Sequence, residues 1–154
     1  MLLTPLMIVA LIIIIALIFD FTNGFHDAAN AISTVISTKV LSPRKAVIFA
    51  AFFNFIAAFV MGVAVASTMA HIVNLNLVAA GLIPYIILGA LLSAIAWNII
   101  TWKIALPTSS SHALIGGLVG AGISAAGVSV IHWETIVLTI VYMFLSAFVG
   151  LVAG

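Results

Sequence analysis

The 154 residues are 66% hydrophobic and 5% charged, with a formal net charge of +1 and a mean hydropathy of +1.49. An ordinary soluble domain is about one quarter charged, so this composition excludes a water-soluble fold and describes an integral membrane protein. The near-neutral balance gives no electrostatic basis for binding nucleic acid, and the absence of cysteine excludes disulfides, thiolate metal sites and cysteine nucleophiles.

A spanning helix needs roughly 20 apolar residues. Charge-free runs at 1–19, 46–70, 72–102, 113–131 and 135–154 predict an all-α polytopic bundle of four or five crossings, a single transmembrane domain over 1–154. Residues 1–19 lack the basic start of a signal peptide and run directly into polar sequence, so they read as a retained first span. From Pro5 the helical pattern continues to about Thr38, too long for one simple crossing, and Asn23-Gly24 is a breaker dipeptide, which predicts a broken helix. In the loop 39–45, Ser42-Pro43 has the residue types of an N-cap and first helical position for a second span over 44–69. A loop at 70–82 carries asparagines and histidine but no lysine or arginine. The third span, 83–104, stops ahead of Pro107, a Gly-rich helix follows at 111–127, and the last span begins at Trp133-Glu134.

Three of the four basic residues, Lys39, Arg44 and Lys45, lie between the first and second spans. The positive-inside rule places that loop in the cytoplasm of a plasma-membrane protein and the N-terminus outside. The third span then runs inward, with Lys103 snorkelling at its cytoplasmic end. Trp97, Trp102 and Trp133 read as interfacial anchors, and Glu134 as a carboxylate at a helix N-terminus.

Two constellations carry chemistry. Asp20, Asn23, Asp27, Asn30, Thr34 and Ser37 are spaced by three and four residues and form one polar stripe on a helix. Placing an aspartate at mid-membrane costs about 2.5–3.5 kcal/mol, and no basic residue is near in sequence to offset it. Such a carboxylate either takes a proton or recruits a cation; a stripe of buried hydrogen bonds between helices is the competing reading.

In the second, Pro107-Thr108-Ser109-Ser110-Ser111-His112, four hydroxyls precede an apolar helix. Exposed amide N–H groups, hydroxyl donors and the positive end of the helix suit an oxyanion such as phosphate or sulfate; an ordinary loop and cap is the bland alternative. Gly116, Gly117, Gly120 and Gly122 predict close packing of this helix against the third span as a hairpin.

The stretch FDFTNGFHDAANAISTVISTKVLSPRK, residues 19–45, resembles the N-terminal signature of the inorganic phosphate transporter (Pit) family, and ALPTSSSHALIGGLVGAGI, residues 105–123, resembles its hairpin motif. The resemblance implies a cation-coupled symporter of two inverted repeats, with helical hairpins meeting at a shared anion site. By position, Asp27, Asn30 and Asn23 match the family's cation and substrate pattern. Thr108, Ser109, Ser110 and Ser111 match its phosphate pattern, with Asn30 beside them. Sodium, bound at Asp27, or a proton is the implied coupling ion, and no other cofactor is implied. Ser67 stands where some members carry a charge, so no coupling role is assigned there.

Only one Asn-Gly-Phe-His-Asp and one Pro-Thr-Ser-Ser-Ser-His pattern occur, so the chain resembles the N-terminal repeat alone. The expected partner within the lipid is a complementary second repeat. An antiparallel homodimer is disfavoured, because three basic residues in one loop hold the orientation. A sulfate permease of the same family and a non-transporting membrane subunit remain as alternatives.

His26 and His112 adjoin the two motifs and, with Asp20, are accessory candidates, whereas His71 and His132 fall in loops. An intramembrane hydrolase with a hairpin serine as nucleophile and His112 as base is the reading from another class. Ser111 and His112 are adjacent on one helix and do not face each other, and no Gly-x-Ser-x-Gly elbow occurs. The chain is therefore not expected to be an enzyme.

Overall fold

The computed structural model describes residues 4–60 and 64–153. Among them the protein is all-α: α1 (Pro5–Ser37), α2 (Pro43–Val60), α3 (Ala64–Ala70), α4 (Ile83–Lys103), α5 (Ser110–Ala126) and α6 (Trp133–Ala153). Three are long and apolar enough to cross a membrane, α1, α6 and the segment Ala80–Lys103 that contains α4, while α5 is a shorter apolar helix. The expected second span is represented by α2 and α3, and its continuity across residues 61–63 falls outside the described residues.

The expected break at Asn23-Gly24 is absent, and α1 runs unbroken through both residues for 33 residues. A mid-helix glycine costs about 1 kcal/mol relative to alanine, whereas each backbone group left unpaired in lipid costs several. Continuity is the cheaper state. Packing adds to it, since Phe19, Thr22 and His26, the buried residues of α1, bracket the dipeptide. At 1.5 Å per residue α1 is about 50 Å long, well beyond a hydrocarbon core of about 30 Å.

Helices α1 and α4 run parallel. Phe19 clusters with Leu91 and Ala94, with Ile12, Ile15 and Ala16 packed alongside, and farther down His26 meets Thr101. The basic loop after α1 and Lys103 in the last turn of α4 therefore lie at the same end of the bundle. Both helices close with the same hydrogen-bond pattern. The Val40 N–H bonds to Val35 O and Lys39 N–H to Ile36 O; Leu106 N–H bonds to Thr101 O and Ala105 N–H to Trp102 O. The left-handed cap position, which glycine usually fills, is taken by Lys39 (φ 59°) and Ala105 (φ 55°).

Helix α5 turns back along α4 as the expected hairpin, starting and ending one residue earlier than the sequence indicates. Ser109 is its N-cap and Gly127, at φ 84°, its C-cap. The close contact is narrower than expected. A Cβ at Gly117 would come within 2.5 Å of Ser93 Oγ and 2.7 Å of the Ala90 carbonyl, and one at Gly122 within 3.1 Å of Val73. Gly116 and Gly120 have nothing within 4 Å and are not packing positions. Gly116 sits about 100° and Gly120 about 60° round the helix from Gly117, given 3.6 residues per turn, and with Gly89, Ser93 and Trp97 they line an open groove of about 520 Å³.

At the opposite end from the basic loop, Val73 bridges Ile131, Asn74 N–H bonds to Val130 O, and His132 N–H bonds to Ile72 O. Ile72, Val78, Ile86 and Val130 join them in a buried apolar cluster under the connections. Helix α6 contributes no buried residue.

Candidate functional site

The polar stripe of α1 lies beside its buried edge. Asp20 is exposed, Asn23 and Asp27 are half-buried, and Asn30, Thr34 and Ser37 are exposed. Between them His26 is buried, 4% exposed, and joins α1 to α4. Its Nε2 lies 3.1 Å from Thr101 Oγ1 on α4, and its Nδ1 lies 3.4 Å from Asp27 Oδ1. Thr101 is held in turn by donating to the Trp97 carbonyl at 2.8 Å, and it accepts a hydrogen bond from Thr108 Oγ1 at 3.1 Å. A continuous chain of polar contacts thus runs from Asp27 through His26 and Thr101 to Thr108.

The tip of the α4–α5 hairpin is fastened directly to α1. Ser110 Oγ donates to Asp27 Oδ1 at 3.3 Å, and Asn30 Nδ2 donates to the Thr108 carbonyl at 3.3 Å. Ser110 is fully buried whereas the Asp27 side chain is 46% exposed, so this carboxylate is bonded on one side and open on the other. Asn30 lies seven residues before the end of α1. The tip therefore stops roughly 10 Å short of that end, at 1.5 Å per residue.

The candidate residues divide between these positions. Ser109 Oγ accepts from His112 N–H at 3.4 Å and caps α5, keeping its own O–H free to donate elsewhere. Thr108 and Ser109 are half-buried, while Ser111 and His112 are exposed. Asp27, Asn30, Thr108 and Ser110 are brought together; His112, Ser111 and Asp20 take no part in this network among the described residues. Beside it a cavity of about 420 Å³ is lined by His26, Asn30, Ser33, Thr101 and the turn Ala105, Leu106 and Pro107.

One residue of the network escaped the sequence reading, Thr101, buried on α4 three residues after the likewise buried Asn98. The available signal was polarity in an apolar span, since Ser93, Asn98 and Thr101 interrupt an otherwise hydrophobic helix. Trp102, one of the expected interfacial anchors, packs edge-on against Phe25 with ring centroids 5.5 Å apart, closing the outer side of the α1–α4 contact.

The arrangement offers hydroxyls, an amide and the first N–H groups of α5 to an anion. A carboxylate and a histidine stand alongside for a cation or proton. No three His, Asp or Glu come together among the described residues as a transition metal would require.

Fold and site define the class: a polytopic α-helical membrane protein whose polar groups gather where three helices meet. A model of the phosphate transporter family matches residues 23–154, and the chain belongs to that family, one of transporters and not of enzymes. It is similar to probable low-affinity inorganic phosphate transporters of three bacteria. That of Rhizobium meliloti (strain 1021) is 49% identical over 142 residues, 92% of this chain and 41% of the relative. That of Streptomyces halstedii is 51% identical over 151 residues, 97% of this chain and 68% of the relative. The Bacillus subtilis (strain 168) protein is 45% identical over 149 residues, 97% of this chain and 44% of the relative. The chain thus spans less than half the length of two of these relatives. No solved structure matches it.

Proposed function

We propose that this chain supplies one half of a cation-coupled carrier of inorganic phosphate in the plasma membrane. The observation that carries the reading is the fastening of the α5 N-terminus to α1 through Ser110–Asp27 and Asn30–Thr108. Phosphate sits at the hairpin tip, bound by the hydroxyls of Thr108, Ser109, Ser110 and Ser111, the amide of Asn30 and the free N–H groups that open α5. The coupling cation sits at Asp27 with Asn23 and Asn30, and His26 supplies a proton path toward Thr101.

Electrostatics make the coupling necessary. An anion at the tip would lie next to the Asp27 carboxylate, and two unit charges 5 Å apart repel by about 3 kcal/mol at an effective dielectric of 20. Divalent phosphate entering against 100 mV costs about a further 4.6 kcal/mol. Two sodium ions or protons bound with it offset both terms.

The exposed face of α1 supports a missing complement. Asn30, Thr34 and Ser37 are exposed on a membrane helix, where polar groups facing lipid are costly. A second repeat, on the same or another polypeptide, covers them and completes the site. In the membrane the loop 39–45 and Lys103 face the cytoplasm, because all four basic residues gather at one end.

The test is radiolabelled phosphate uptake into proteoliposomes holding this chain with a complementary second repeat, under a sodium gradient, a proton gradient or none. Uptake is expected only with both repeats and a cation gradient. Uptake indifferent to both gradients would remove the coupling, and robust uptake by these 154 residues as a crosslink-verified monomer would overturn the half-carrier reading.

A further inference from the structure

The α1–α4 interface keeps a constant register. Phe19 clusters with Ala94, and His26 bonds to Thr101 75 positions later, the same separation in both pairs. Asn23 stands on the face of α1 between Phe19 and His26, and Asn98 stands on the face of α4 between Ala94 and Thr101. They share that separation, so parallel helices hold the two asparagines at one level. The hairpin supplies a third element there. Ala121 approaches Gly89 and Gly117 approaches Ala90 and Ser93. Continuing that antiparallel register brings Asn98 level with the first turn of α5, where buried Ser110 bonds to Asp27.

At this junction the hydrogen-bond accounting fails. Asn98 is 0% exposed, yet neither its Oδ1 nor its Nδ2 has a partner among the described residues, and the buried Oδ1 of Asn23 has none either. Buried polar groups are almost always paired, so three orphaned atoms in two asparagines at one level need an explanation. Apolar residues hold comparable places one turn earlier, Phe19 and Ala94. Packing alone therefore gives no reason for an amide. Two of the three orphans are carbonyl oxygens without a donor, and one turn along α1 is a carboxylate that, among the described residues, accepts from one hydroxyl, that of Ser110. Neutral oxygens plus one negative charge form a donor set for a small, hard, monovalent cation.

We infer that Asn98 is a ligand of the coupling cation, a sodium-class ion held between α1 and α4 by the side-chain oxygens of Asn23, Asn98 and Asp27. This rests on the cation-coupled reading above and extends it to a helix outside both sequence motifs. It makes α4 a direct participant. Ion binding there ties α4 to α1 beside Ser110, the residue that joins α1 to the hairpin tip, so the cation orders the anion site. A buried water satisfying the two amides is the competing account, and it demands no sodium.

The experiment measures the melting temperature of the purified protein in detergent, in sodium chloride titrated against choline chloride at constant ionic strength. A ligand that binds only the folded state raises the melting temperature as its concentration passes its dissociation constant. Wild type is expected to gain stability with sodium. Asn98→Leu, close in size but without oxygen, should lose the gain while melting no lower than wild type in choline. Asn98→Ser, a smaller change in case the leucine protein does not fold, should raise the half-saturating sodium concentration by about tenfold or more. Absence of a sodium effect in wild type, or a folded Asn98 variant with the wild-type sodium response, overturns the assignment. Failure of the phosphate-carrier reading registers elsewhere, as a lack of phosphate uptake by the two-repeat carrier while sodium stabilisation persists.

Discussion

Ser110 Oγ donates to Asp27 Oδ1 across 3.3 Å, joining two residues 83 positions apart. Each belongs to a different motif, and their contact makes one site of the acidic wall of α1 and the N-terminus of α5. Asp27 is thereby positioned by a residue of the hairpin tip, so displacement of the tip changes the surroundings of the carboxylate.

Asp27→Asn is expected to abolish gradient-driven uptake by the two-repeat carrier while leaving membrane insertion intact. The change removes the charge at almost constant volume, and the amide still accepts from Ser110. Uptake under a sodium or proton gradient, set beside the amount of inserted protein, measures it. Full gradient dependence in the variant would show that Asp27 is not the coupling carboxylate.

The four tip hydroxyls should not be equivalent. Ser110 is buried and bonded to Asp27, whereas Ser111 is exposed. A hydrogen bond to a charged group is worth at most about 3 kcal/mol, and less where the carboxylate is 46% exposed as at Asp27, while tenfold in affinity is about 1.4 kcal/mol. Ser110→Ala is expected to weaken phosphate several-fold, Ser111→Ala to weaken it less, and replacement of residues 108–111 by alanine to exceed both. Phosphate KM measured for each variant tests the order, and an unchanged KM in the quadruple variant would remove the tip from the anion site.

Gly117 and Gly116 give a paired test of the hairpin. A methyl group at Gly117 would collide with the Ala90 backbone carbonyl, but one at Gly116 meets nothing within 4 Å. Gly117→Ala should lower the melting temperature in detergent, with an overpacking cost of about 1–3 kcal/mol. Gly116→Ala in the isolated chain should be neutral or slightly stabilising through helix propensity. Equal effects from the two would contradict the packing of α5 on α4.

The orientation is open to labelling. The chain contains no cysteine, so Ser42→Cys creates a unique thiol in the basic loop. In intact cells an impermeant maleimide is expected to leave it unmodified, and to react once the membrane is permeabilised. Modification from outside would invert the topology.

Hydropathy and caps, which depend on residues close in sequence, were enough to establish an all-α membrane protein. They also located α4 and placed α5 within a residue between Ser109 and Gly127. The two motifs identified the family without any structure, because backbone turns and chemical groups specific to it are written in short continuous segments. Tertiary structure decided what depends on a neighbouring helix. Asn23-Gly24 has the local chemistry of a break, yet burial of Phe19, Thr22 and His26 on either side and the cost of open backbone in lipid keep α1 continuous. Four glycines look alike in the sequence, but the angle at which α5 meets α4 selects Gly117 for contact and leaves Gly116 and Gly120 open. Thr101 lies in no motif, and only the parallel packing of α4 on α1 brings it to His26. Hydropathy records which segments leave water, whereas the site is made by side chains from three helices whose relative rotation and level no single segment encodes.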